Sequence, residues 1–136
     1  MKQSELNLDS QKCPFSKKVE QKIDNFIAQN HRLLYSGGNG NVYVLLCKYE
    51  KIYVGYSEDV IERIKKQFRY KNTSWLSKYP PVEVITIIEQ CDIEWESLIT
   101  KFLMIEYGIN EVRGGPYTSS RKYINQPQSL DDFELG

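Results

Sequence analysis

Asn41–Phe68, NVYVLLCKYEKIYVGYSEDVIERIKKQF, is the stretch on which the fold of this chain is decided. Residues 42–47 and 52–55 are rich in β-branched and aromatic side chains and flank the polar segment 48–51, a hairpin pattern. Side chains alternate faces along a strand, so parity decides which of them meet. A turn with an odd number of residues gathers Val42, Val44, Leu46, Ile52 and Val54 on one face, and Tyr43, Leu45, Cys47, Tyr53 and Gly55 on the other. An even turn mixes the sets, exposing valines and burying phenols. The odd register is therefore expected, because a slip of one residue inverts the pattern. Tyr43 and Tyr53 then lie diagonally on one face, at roughly 7–8 Å. Gly55 leaves an opening in that face.

A helix over 57–70 follows. Ser57 can cap its free N–H groups, and Glu58 and Asp59 suit the positive end of its dipole. Val60, Ile61, Ile64 and Phe68 form the apolar stripe, with Arg63 and Gln67 stacked along one flank. From Arg63 to Lys78 the chain carries Arg63, Lys65, Lys66, Arg69, Lys71 and Lys78 and no acidic residue. Phe68, Tyr70, Trp75 and Tyr79 are interleaved with them. Such a run suits a phosphate-contacting surface with stacking groups. Taken alone, a solvated helix face with a few core aromatics explains it equally well.

Further along, Pro80-Pro81 interrupts the chain and 82–88 reads as a third strand. Asp92 heads a helix over 92–107, with Trp95, Leu98, Ile99, Phe102 and Leu103 facing the core. Glu94 and Glu96 fall on opposite flanks of that stripe, and periodicity does not choose between them. Upstream, 16–29 reads as an amphipathic helix that packs on the domain, with His31 near its end. Residues 36–40 form a glycine-rich link without the pattern of a nucleotide-binding loop. The fold expected is α+β: a small three-stranded antiparallel sheet (hairpin 42–55 plus strand 82–88) flanked by helices 57–70 and 92–107. Residues 1–40 form an N-terminal extension, 41–118 the domain, and 119–136 a polar tail.

Val42-Tyr43, Tyr53-Val54-Gly55, Arg63, Glu96, Tyr107-Gly108 and Val112-Arg113-Gly114-Gly115, in that order and spacing, resemble the GIY-YIG nuclease family over roughly 41–118. The tail of this set is similar to GIY-YIG proteins of large DNA viruses. The resemblance implies a GIY-YIG fold and hydrolysis of DNA to 5′-phosphate and 3′-hydroxyl ends, in repair or recombination. It implies that Tyr43 activates water, Tyr53 positions it or the phosphate, Arg63 neutralises phosphate charge, and Glu96 holds one Mg²⁺ or Mn²⁺. Lys65, Lys66, Arg69, Lys71, Trp75, Lys78 and Arg113 are the expected DNA contacts. The chain departs from the family at Asn41, at Tyr56 and at Gln67, which stands where a histidine or tyrosine is common. Asn110 is the one candidate for an asparagine after the glutamate-bearing helix. Two other classes stay open: a catalytically weak DNA-binding module and a protein-interaction domain.

Composition sets the outer limits. The chain has 136 residues, 40% of them hydrophobic, enough for one core. Its 18 basic and 18 acidic residues cancel, so no global field draws it to nucleic acid. No apolar run approaches membrane-spanning length, and no membrane partner is expected. Cys13, Cys47 and Cys91, with His31, assemble no zinc constellation, and the cysteine usage suits an intracellular, reducing compartment. Nothing in the sequence sets the oligomeric state.

Overall fold

A computed structural model describes residues 12–30, 38–71 and 73–123. The hairpin is built from β1 (Gly40–Cys47) and β2 (Lys51–Ser57), joined by a three-residue turn, Lys48–Glu50. Tyr49 and Glu50 close that turn with φ of 61° and 57°. The odd loop sets the odd register: Tyr43 pairs with Gly55, Val44 with Val54, Leu45 with Tyr53 and Leu46 with Ile52. β3 (Pro81–Cys91) lies antiparallel on the other side of β1.

The sheet is four-stranded and mixed, in the order β3-β1-β2-β4, rather than three-stranded and antiparallel. The added strand, β4 (Val112–Gly114), pairs parallel with β2 through Ile52–Val112, Tyr53–Arg113 and Val54–Gly114. Three residues are too few to show a period of two, and Arg-Gly-Gly carries a turn signature.

Helices cover both faces. On the even face, Val42, Val44, Leu46, Ile52 and Val54 form one core with α1 (Pro14–Gln29) and α4 (Glu94–Tyr107). Phe26 of α1 stacks on Phe102 of α4 at 4.4 Å between ring centroids. α1 thus packs on the domain. Cys13, at its N-cap, offers no side-chain cap, and Glu83 of β3 supplies one instead. The carboxylate accepts from the Cys13 N–H at 3.1 Å and from the Ser16 hydroxyl.

On the odd face Tyr43, Leu45 and Cys47 form a second core with Ile64, Trp75, Leu76 and Val84. These come from α2 (Val60–Tyr70), α3 (Ser74–Lys78) and β3. α2 begins three residues later than expected, because the Ser57 hydroxyl accepts from the Asp59 N–H (3.0 Å) in a turn ahead of the helix. α3 is an element absent from the sequence reading, capped by Thr73, whose Oγ1 accepts from the Leu76 N–H at 3.0 Å. Cys47 and Cys91 are buried and unpaired, and burial pushes the Cys47 thiol up to about 12. His31 and the tail beyond 123 lie outside the described residues. Among the described residues no helix is long and apolar enough to cross a membrane.

Candidate active site

The site forms where the odd face of the hairpin meets one flank of α2 and the first turn of α4. Tyr43 is fully buried, and its ring lies against Gly55: a Cβ there would fall 2.1 Å from Tyr43 Cζ. The opening expected at Gly55 is therefore filled from within. The Tyr43 hydroxyl donates to Gln67 Oε1 at 2.6 Å. Gln67 is itself buried and sits one turn beyond Arg63, as the four-residue spacing requires.

Tyr53 lies 6.3 Å from Tyr43 between ring centroids, at 45°, and is half-buried. Burial raises the Tyr43 phenol well above its ordinary value; the neighbouring Tyr53 adds to the rise, while Arg63, within hydrogen-bonding reach, opposes it. Burial likewise raises Tyr53, against a hydrogen bond from Gln67; the Glu96 charge adds to the rise and Arg63 counters it. Both phenols keep their protons at neutral pH.

Glu96, in the first turn of α4, faces these groups, whereas Glu94 is exposed. Burial pushes the Glu96 carboxyl up, opposed by the Gly115 N–H and by the Arg63 guanidinium. The Arg113-Gly114-Gly115 segment makes that backbone contact possible. A Cβ on Gly114 would sit 2.4 Å from the Val54 carbonyl and 2.8 Å from Thr100 Oγ1. Gly115 adopts φ +53°, in the left-handed region. Close packing of the glycine pair against β2 and α4 thus aims an N–H at Glu96. Arg63 itself is exposed on α2. Tyr43, Tyr53, Arg63 and Glu96 are therefore brought to one place, from four different elements.

Next to them opens a cavity of about 330 Å³, lined by Tyr53, Glu96, Trp75, Arg113, Tyr117, the glycine pair and three hydroxyl residues. Trp75 and Arg113, expected to face DNA, are 2% and 1% exposed and are corrected here to interior positions. Trp75 is held in by Leu76 and Ile64 around it and by its indole N–H, which donates to the Ile52 carbonyl at 3.1 Å. Arg113 is gripped by protein acceptors on every side. Its Nε donates to Ser119 O (2.5 Å), Nη1 to Ile109 O and Val112 O (2.6 and 2.7 Å), and Nη2 to Arg121 O and Asn110 Oδ1 (2.8 and 3.4 Å). Its guanidinium carbon also lies 4.8 Å from the Trp75 ring centroid and 4.2 Å from that of Tyr123.

Asn110 serves this clamp, not the site: its Oδ1 accepts from the Tyr123 N–H at 2.6 Å. Lys65, Lys66, Arg69, Lys71 and Lys78 are exposed. The sequence places Gln67 beside Arg63 on one helix flank and marks it as a departure from the family; its hydrogen bond to Tyr43 is what the structure adds. The Gly115 N–H and the rim hydroxyls had no sequence signal. The chain matches no protein-family model, no curated protein and no solved structure.

Proposed function

We propose that the protein is a divalent-metal-dependent DNA endonuclease, hydrolysing phosphodiesters to 5′-phosphate and 3′-hydroxyl ends. The observation that supports this most is the meeting of two phenols, a guanidinium and a carboxylate beside one cavity. Each group suits a part of the reaction. Arg63, exposed and aimed at the site, offers a planar fork to phosphate oxygens as negative charge develops. Glu96 is the residue that would hold the metal, and one carboxylate fits Mg²⁺, which keeps several waters and takes further oxygens from substrate phosphate. When bound, the ion would stabilise the departing 3′ oxygen.

The phenols divide differently from what the family resemblance implies. Tyr43 has no exposed surface and donates to an amide oxygen, which does not take up a proton. We assign it the task of fixing Gln67 and the floor of the site. Tyr53, half-buried on the cavity, is the phenol open to water and the better candidate for proton transfer. A base with a raised pKa is more often ionised as pH climbs, so cleavage is expected to accelerate from neutral into alkaline pH. On the acid side activity is expected to fall as Glu96 protonates, its carboxyl being raised by burial.

The experiment is incubation of purified protein with supercoiled, linear and branched DNA and Mg²⁺. Nicking that EDTA, Arg63→Ala and Glu96→Ala each abolish supports the proposal. Salt-dependent binding without cleavage by the unmodified protein replaces it with a binding module.

A further inference from the structure

The cavity beside Glu96 has a chemistry that a phosphate does not explain. A phosphate asks its site for donors, and the one cation lining the cavity, Arg113, has all five N–H groups committed to protein oxygens. It contributes positive field without a free hydrogen bond. The remaining polar lining is of mixed character. Thr73 Oγ1 accepts from the Leu76 N–H, which leaves its own proton free to donate. The Ser74 hydroxyl donates to the Thr118 carbonyl at 3.3 Å, which leaves its lone pairs free to accept. Tyr53 adds a half-buried phenol ring and Glu96 a carboxylate, while Trp75 and Tyr117, 2% and 5% exposed, only back the cavity. Donors and acceptors beside the partly open Tyr53 ring suit the edge and face of a nucleobase. The volume of about 330 Å³ falls within the range of small-molecule sites, about 300–1,000 Å³, and exceeds what a hydrated ion requires.

We infer that this cavity receives one unpaired deoxynucleotide next to the scissile phosphate, so that the substrate class is single-stranded or branched DNA rather than continuous duplex. The inference rests on the nuclease reading for the position of the phosphate, since Tyr53 and Glu96 belong to both. A base inside a duplex has its pairing edge occupied and its faces stacked, and extracting it costs a few kcal/mol. A base at a flap, gap or free strand enters without that cost. The phosphate is then left on the Arg63 side, where a guanidinium is exposed, and the base on the Thr73–Trp75 side, where none is.

The test uses the full chain in EDTA, so that binding is read without cleavage, and short oligonucleotides carrying 2-aminopurine. A single strand is expected to bind with quenched fluorescence, and the same sequence as a duplex at least about tenfold more weakly. Ser74→Phe and Thr118→Phe, both at exposed rim positions, fill the cavity and are expected to abolish the quenching and the preference for single strands. Equal affinity for duplex and single strand, or unchanged quenching in both variants with circular dichroism confirming their folding, overturns the inference. Tighter binding of the ribose version overturns its assignment to DNA. Quenching in EDTA with no cleavage in Mg²⁺ supports the nucleotide subsite and removes the nuclease reading; cleavage of duplex at the same rate as single strand does the reverse.

Discussion

Arg63 and Arg113 make the instructive pair. Both stand near the same cavity, and on sequence grounds both are expected to meet DNA, Arg63 at the reacting phosphate and Arg113 as a further contact. Arg113 is 1% exposed, with five carbonyl or amide oxygens and two rings around it. Arg63 is exposed, next to two phenols and a carboxylate. A guanidinium whose every N–H is taken by protein holds the fold together; one that faces water beside other reactive groups is free to meet a ligand. The number of acceptors separates the two, and that number belongs to tertiary structure.

The contrast breaks most sharply at Arg113. Arg113→Ala strands several buried carbonyls and releases the 118–123 segment from Trp75, and is expected to lower stability by about 3 kcal/mol or more in chemical denaturation. Arg63→Ala is expected to leave stability within about 0.5 kcal/mol. Its effect falls on cleavage, lowered by about 10²–10³ in single-turnover assays. Equal destabilisation by the two substitutions would erase the distinction.

Two smaller effects sharpen it elsewhere. Gly55→Ala drives a methyl into the Tyr43 ring and is expected to cost about 1–3 kcal/mol, read as a lowered denaturation midpoint. Glu83→Gln weakens the cap on α1 and is expected to cost about 1 kcal/mol. Burial alone would raise the Glu83 carboxyl, but the Ser16 hydroxyl and the Cys13 N–H outweigh it and hold it below its ordinary value. Because the folded pKa is depressed, this contribution is present above the unfolded carboxylate pKa and lost as pH falls through the folded one. Acid titration of α1 protection by hydrogen exchange should follow that order, and Glu83→Gln should flatten it.

The hairpin register was legible because five β-branched or aliphatic residues share one parity, and only an odd turn puts them together. The opposite face was harder to read. Tyr43, Leu45, Cys47, Tyr53 and Gly55 look like a half-polar surface, yet α2, α3 and β3 close over it into a second core. Its burial depends on Trp75 and Leu76 of a five-residue helix with no periodic signal of its own. β4 escaped detection for the same reason of length. Glu96 and Glu94 were indistinguishable by helical period; the Gly115 N–H and the approach of Arg63 make the difference. Trp75 was misplaced because a basic and aromatic run reads as surface, and Arg113 because an Arg-Gly-Gly turn does, until the groups that enclose them are known. The meeting of Tyr43 with Tyr53 followed from parity alone.

The cap on α1 carries a consequence for the order of assembly during synthesis. α1 leaves the ribosome before the sheet does, but the carboxylate that completes its opening turn lies 70 residues downstream of the amide it receives. The ring on which Phe26 stacks, Phe102, is translated later still. A nascent chain therefore holds α1 unfinished until β3 and α4 have emerged, and docking of α1 becomes a late event relative to formation of the hairpin.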